Sequence, residues 1–329
     1  MLHRRQILQA LLGATAGPAV LGAHAADAFP SKLMTMIVPY PAGGPSDFIA
    51  RQIQPELSRL LGQQMIVENV GGVGGALGIQ KAIAAPPDGH TLTMASPMEL
   101  VLAPLGLSAV KFKPEDMRLV ALLVTTTMVM LARKDLPASS VDELVAMEKK
   151  PGAKELSFGS VGPGSLYHLV AEKFSQQTGL KMLHVPYKGA APLITDLMGG
   201  QIDIVFMPLS GPVPGLIKEG KVKAFGVASK APHPLFPNLP TLTSTKALDD
   251  FEFDLWAGLE VPRGVPDAAV EALNKAALQA LQNPDIRKAY EGTGNVVGKP
   301  MNPAELQRFY TAEIARYTAI AKSVNLQPQ

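Results

Sequence analysis

The 329-residue chain contains no cysteine, and that absence removes three explanations together. No disulfide can staple it, no thiolate can hold a metal, and no cysteine is there to carry a lipid. Tryptophan is almost missing as well; Trp256 is the single example and reads as core or hinge packing. Charge of one sign is also lacking. There are 30 Lys and Arg against 28 Asp and Glu. Arg4 and Arg5 fall in the first 25 residues, which hold no acid, so the rest balances at 28 against 28. A chain without a basic stripe has nothing to neutralise a run of phosphates, which argues against a nucleic-acid partner.

Catalytic signatures are absent too. The patterns G-x-S-x-G, G-x-x-x-x-G-K-[ST] and H-E-x-x-H do not occur. In "GGVGGALG", Gly72 and Gly74 are followed by Leu77 where a dinucleotide fingerprint needs a third small residue. The six histidines, His3 and His24 among them, show no metal-ligand spacing. No nucleophile, base and orienting acid can be nominated as a trio. An exported hydrolase is therefore the weaker reading, and no cofactor or metal is expected.

What is present starts with an address. "MLHRRQILQALLGATAGPAVLGAHA" opens basic, is apolar from Ile7 to Leu21, and ends on the small residues Ala23 and Ala25. That order describes an export signal over residues 1–25. Gly13, Gly17 and Pro18 leave its apolar middle too short and broken to span a membrane. Arg4-Arg5 before Gln6, Ile7 and Leu8 fits the twin-arginine route as well as the ordinary one. The expected destination is the periplasm, an oxidising compartment where the fold relies on its core alone.

Short β-rich runs then alternate with helical patterns, the mark of α/β layers with a largely parallel sheet. "MTMIVPY" reads as a strand, and Ile49, Ile53, Leu57 and Leu60 recur at helical spacing until Gly62. Pro55 falls inside that helix and should kink it. "QMIVEN", "GGALGIQKAIAA" and "HTLTMAS" complete a β-α-β-α-β unit. The plan recurs from Glu155: "ELSFGS", "VGPG", a helix with Leu166, Leu169, Val170 and Phe174 on one face that stops at Gly179, then "KMLHVPY", "APLITDLMGG" and "QIDIVFM". Two similar lobes are implied, each opening with a strand, a Gly-rich turn and a helix.

Those two turns invite an anion. A helix start presents unpaired N–H groups and the positive end of the helix dipole, and glycines let a ligand come close. Gly43 and Gly44 do this in the first lobe, Gly162 and Gly164 in the second, with Ser46, Ser160 and Ser165 adding hydroxyls. The plainer reading makes Ser46, Asp47 and Ser165 ordinary helix caps, and Asp47, which would repel an anion, an orienter of its loop. Open α/β sheets bind ligands beyond the carboxyl ends of their strands, where both turns lie.

The stretches "IVPYPAGGPSDFIARQI", "VENVGGVGGALGIQKAIAAPPDGHTL", "SFGSVGPGSLYHL", "HVPYKGAAPLITDLMGGQIDIVF", "PTL" and "WAGLEVPRGVPDAAVEALNKA" together resemble the Bug family, extracytoplasmic solute-binding receptors of tripartite tricarboxylate transporters. The likeness runs in order from about Leu33 to the end. It implies a two-lobed clamshell of the periplasmic-binding-protein kind, a ligand carboxylate held between two loops, and integral-membrane transporter subunits as partners. The first domain would comprise residues 29–126 and 256–329, the second residues 127–255. The matching loops are Tyr40, Pro41, Ala42, Gly43, Gly44, Ser46 and Asp47, and Ser160, Gly162, Gly164, Ser165 and His168. His168 reads equally as ligand donor and as loop fastener. Ser96 opens the apolar insert "ASPMELVLAPLGL", a departure from the family pattern that would meet the ligand's far end; His90, where a Tyr is usual, is another. Tyr187 would bring a hydroxyl to the cleft rim, Lys188 reads as solvated, and Asp203 in "QIDIVF" is a site candidate whose buried carboxylate is better suited to holding a neighbouring loop. The implied function is capture of a small carboxylate by a monomer without covalent chemistry. The alternative is a co-receptor that docks on a sensor kinase.

Overall fold

A computed structural model describes residues 29–150 and 152–327; the export segment lies outside them. In chain order, β1 (Met34–Val38), α1 (Pro45–Leu61), β2 (Met65–Asn69), α2 (Ala76–Ile83) and β3 (Thr91–Ala95) form the first unit. A single π turn (Met98–Leu102) and the short α3 (Ala103–Gly106) lead to β4 (Met117–Arg133). Next come α4 (Val141–Glu148), β5 (Leu156–Ser160), α5 (Leu166–Thr178), β6 (Met182–Pro186), α6 (Ala190–Met198), β7 (Ile204–Pro208), α7 (Val213–Lys218) and β8 (Val222–Val227). The chain returns through β9 (Asp254–Pro262), α8 (Asp267–Ala280), α9 (Pro284–Gly292), β10 (Val296–Val297) and α10 (Pro303–Ser323).

Each lobe has a parallel three-stranded part, β2-β1-β3 in one and β6-β5-β7 in the other. The strands that join the lobes run antiparallel to these. β4 belongs to both sheets: Met117 to Thr127 pair with β9, and Met128 to Ala132 pair with β7. Between Arg118 and Arg133 its sequence, apolar on both faces except for Thr125, Thr126 and Thr127, suits a strand buried on both sides; the three threonines fall where the partner changes.

Two buried clusters fill the layers. One packs α1, α8 and α9 on the first sheet through Ile49, Ile53, Leu57, Val270, Leu273 and Tyr290. The other runs from Ile79 and Leu100 past Trp256 into the second lobe, where Phe158, Phe174, Phe206 and Phe251 lie at its centre. Each such side chain contributes roughly 1.5–3 kcal/mol on burial. The expected helix stops are in place, Gly62 at φ 69° and Gly179 at φ 74°, both in the left-handed region that glycine enters at little cost. α1 continues through Pro55, which sits on its exposed face; there water can take over the Arg51 carbonyl that loses its N–H partner. His90 is buried against Phe29 and accepts a bond from the Ser31 amide at 3.1 Å, so it fastens the first described residues to the body.

Candidate functional site

The lobes enclose a cavity of about 700 Å³, within the range of small-molecule sites. They touch across its rim. A Cβ placed on Gly106 of α3 would lie 3.3 Å from the Cα of Gly164, and one on Gly211 would lie 3.7 Å from the Pro45 ring. The structure is thus a closed clamshell.

Four helix starts face this cavity. Tyr40, Pro41, Ala42, Gly43, Gly44 and Ser46 line it at the start of α1, and Gly164 and Ser165 at the start of α5. Two more turns join them: Gly72 to Gly75 before α2, and Lys188 to Pro192 at the start of α6. α1 begins with no side-chain cap, and the Ser46 and Asp47 amides have no protein partner among the described residues. α6, with Gly189 at its N-cap position, is likewise without a side-chain cap. The rest of the wall is largely apolar, including Ile49, Met98, Leu107, Val124, Leu255 and Trp256. Among the described residues that line it, Lys188, exposed at the surface, is the one that carries a charge. Uncapped amides and helix dipoles, rather than paired cations, supply the positive potential.

The remaining candidates stand behind the wall. Asp47 is buried and accepts bonds from the Gly43 amide, Arg51 and Asn69, each at 2.9 Å. Burial pushes its carboxyl up, but those donors outweigh burial and hold it below the ordinary range. It is an ionised fastener that locks Gly43 at φ +82°. Ser160 is buried, shares a 2.7 Å bond with His184, and accepts the Gly162 amide at 3.0 Å. Gly162 is itself held in the loop and does not line the cavity. Ser165 caps α5 through the His168 amide and gives its proton to the Gly162 carbonyl at 2.6 Å, so its hydroxyl is already spent.

His168 fastens the same loop. Its Nδ1 accepts the Gly164 amide at 3.2 Å, and its ring stacks on His184 with centroids 4.2 Å apart. Burial, and then the neighbouring His184, bring its pKa down to about 4. The acceptor role of Nδ1 puts the proton of the neutral ring on Nε2, which faces Glu172 at 3.6 Å. Tyr187 and Asp203 are not brought to the cavity. The Tyr187 hydroxyl is donated to Asp196 at 2.8 Å. Asp203 accepts from the Ser157 amide and hydroxyl and from Arg133 Nε, all at 2.8 Å, which ties β7 to β5 and β4.

Ser96 lines the cavity, as expected, with Met98, Ala103 and Leu107 of the insert. It rests on a residue that sequence reading passed over. Glu99, fully buried, accepts the Ser96 amide at 2.5 Å and the Ser96 and Tyr40 hydroxyls at 2.8 Å each. Burial pushes its carboxyl up to about 7 against the pull of those donors. The turn before α6 was missed although "VPYKGA" carries the same strand, glycine, helix signal as the two turns that were found.

The family model described as the tripartite tricarboxylate transporter family receptor matches residues 49–326. The chain belongs to that family. As a Bug-type receptor it is a solute-binding protein, and its relatives bear this out along nearly their whole length. A UPF0065 protein of Agrobacterium vitis, from the TAR-I ttuE-ttuC' intergenic region, is 36% identical over 318 residues, covering 96% of this chain and 90% of its own. The periplasmic binding protein BugD superposes with a TM-score of 0.82 at 30% identity, over 92% of this chain and 100% of its own. MatC of Rhodopseudomonas palustris, solved with bound malate, has a TM-score of 0.80 at 30% identity, over 89% of the receptor and 99% of its own chain.

Proposed function

We propose that this receptor captures a small carboxylate between its lobes in the periplasm and delivers it to the membrane subunits of a tripartite tricarboxylate-type transporter. The observation that carries the reading is a cavity between the lobes onto which four helix starts converge, one with two unpartnered amides, while its wall offers a single cation among the described residues. A carboxylate satisfies such amides without a buried counter-ion. The malate bound to MatC supports the ligand class. Among the described residues no helix is long and apolar enough to cross a membrane, in keeping with a receptor that works beside its permease.

In this reading residues 29–126 with 256–329 move against residues 127–255, hinged where β4 changes partner. Tyr40 to Ser46, Ser96 and Gly164 meet the ligand, while Asp47, Ser160, Gly162, Ser165 and His168 hold the loops in shape. The apolar wall suits a ligand with one charged end and an apolar or aromatic body. Ligand shifts the equilibrium to the closed form by its preference for it. The test is a thermal-shift screen of protein unfolded and refolded to strip carried-over ligand, against small carboxylic acids and their primary amides. An acid at a hundred times its Kd adds about 2.7 kcal/mol, a shift of several degrees that its amide fails to give. A folded protein indifferent to every acid, or stabilised equally by the amides, contradicts the reading.

A further inference from the structure

Tyr40 and Ser96 belong to the cavity wall, but their hydroxyl protons point away from any ligand, because both are given to the buried Glu99 carboxylate at 2.8 Å. A hydroxyl has one proton. Once that proton is committed inward, the oxygen has only lone pairs to offer. Ser96 Oγ keeps part of its accepting capacity for the Met98 amide at 3.3 Å, whereas Tyr40 Oη has no second partner among the described residues. Glu99 cannot turn away: it is fully enclosed, its Oε1 is held by the Ser96 amide, and Gly75 packs so closely that a Cβ there would sit 2.7 Å from the Glu99 Cβ.

A second wall residue also spends its donors inside the protein, and its remaining acceptor is itself enclosed rather than turned to the cavity. Asn295 is buried, and its Nδ2 faces the Tyr290 carbonyl at 3.5 Å and Thr293 Oγ1 at 3.1 Å. A carbonyl can only accept, so the amide's orientation is fixed and Oδ1 is left an acceptor without a donor.

We infer that Glu99 is a positioning residue that sets the hydrogen-bond polarity of this wall, so that the receptor selects carboxylic acids bearing a hydrogen-bond donor, a hydroxyl or an amine, near the carboxylate. The inference rests on the carboxylate reading of the cavity and narrows it. Tyr40 shares its turn with the amides that take the carboxylate, which directs the selected donor to the carboxylate end of the ligand. Plain carboxylates meet unpaired oxygen lone pairs at the same place and are disfavoured. Protonating Glu99 reverses the arrangement: the new O–H donates to one of the two hydroxyls, whose own proton is then free to turn into the cavity.

The titratable groups facing Glu99 are Tyr40 from the first turn, Glu260 on β9 and Tyr310 on α10, with Tyr167 of α5 behind Tyr40. Burial holds the three tyrosines neutral. Glu260, which burial and then Glu99 push well above the ordinary carboxylate range, is the one other acid.

The test is calorimetric affinity for matched pairs that differ only in an α-hydroxyl: mandelate and phenylacetate, malate and succinate, lactate and propionate. Each is measured at pH 8 and 5.5 on wild type, Glu99→Gln and Tyr40→Phe, with Glu260→Gln alongside to separate its titration. In wild type at pH 8 the hydroxy acid of a bound pair is favoured roughly tenfold, the worth of one good hydrogen bond. The ratio collapses towards unity at pH 5.5, since burial places the Glu99 titration at about 7, and it collapses at both pH values in Glu99→Gln and Tyr40→Phe. A purely structural Glu99 would change both members of a pair together and leave their ratio alone. Should Glu99→Gln fold poorly, Tyr40→Phe, which keeps the ring, decides the matter. Acids that bind without preference for the hydroxyl, or a preference that survives in both variants and at both pH values, overturn the inference and leave the carboxylate receptor intact. Failure of every acid to bind takes both down.

Discussion

At the scale of the residue, the polar groups divide by what has already claimed their protons and lone pairs. Ser165 and His168 carry the residue types of a ligand site, yet each spends its bonding capacity on its own loop. The His168 arrangement depends on a neutral ring. Unfolded histidine titrates near 6.5 and His168 near 4, so between those values the unfolded chain binds a proton that the native state does not, and stability falls as pH drops through that window. We predict that His168→Asn, whose Oδ1 can take the Gly164 amide but cannot charge, shows a shallower fall in Tm between pH 7 and 4. His184 and His233, shifted down mainly by burial, keep the slope from vanishing. An unchanged slope would mean that His168 titrates normally. Of these assignments, the roles of Asp47 and Asp203 as fasteners were legible, because a carboxylate beside unpaired amides or inside an apolar strand needs donors. Glu99 was not, because its partner Tyr40 lies 59 positions away and a π turn breaks the 3.6-residue period that would have shown it facing inward.

At the scale of the element, strands and helices followed from periodicity and glycine stops, as α1 and α5 show between their Gly-rich turns and their left-handed C-terminal glycines. The parallel pairing of β2-β1-β3 and β6-β5-β7 was legible from the β-α-β spacing. The antiparallel placing of β4 and β9 was not, since a strand apolar on both faces does not reveal its neighbours' direction. The two principal helix starts differ in a testable way. α1 is uncapped and open to a ligand, whereas α5 is capped by Ser165. Ser165→Ala therefore costs about 1 kcal/mol of stability, the usual worth of an N-cap, read as a lower urea midpoint at unchanged m-value. A midpoint equal to wild type would show that the cap contributes nothing.

At the scale of the whole molecule, the account is of two lobes closed on an anion by backbone groups. Gly106 and Gly164 meet at the rim so closely that a Cβ on either would lie 3.3 Å from the Cα of the other. Gly106→Leu should wedge the lobes apart, lowering affinity at least tenfold and leaving a larger radius of gyration by X-ray scattering with ligand present. Full closure in that variant would show that the rim contact is dispensable. The central claim is that helix-start amides of both lobes hold the carboxylate, and the most direct measurement is an amide-resolved NMR titration with an acid found to bind and with its primary amide. The account predicts large downfield shifts at Ser46 and Asp47, accompanied by shifts at the starts of α5 and α6, with the acid and not with its amide. Binding that leaves the Ser46 and Asp47 amides unmoved, or that perturbs one lobe alone, would contradict it.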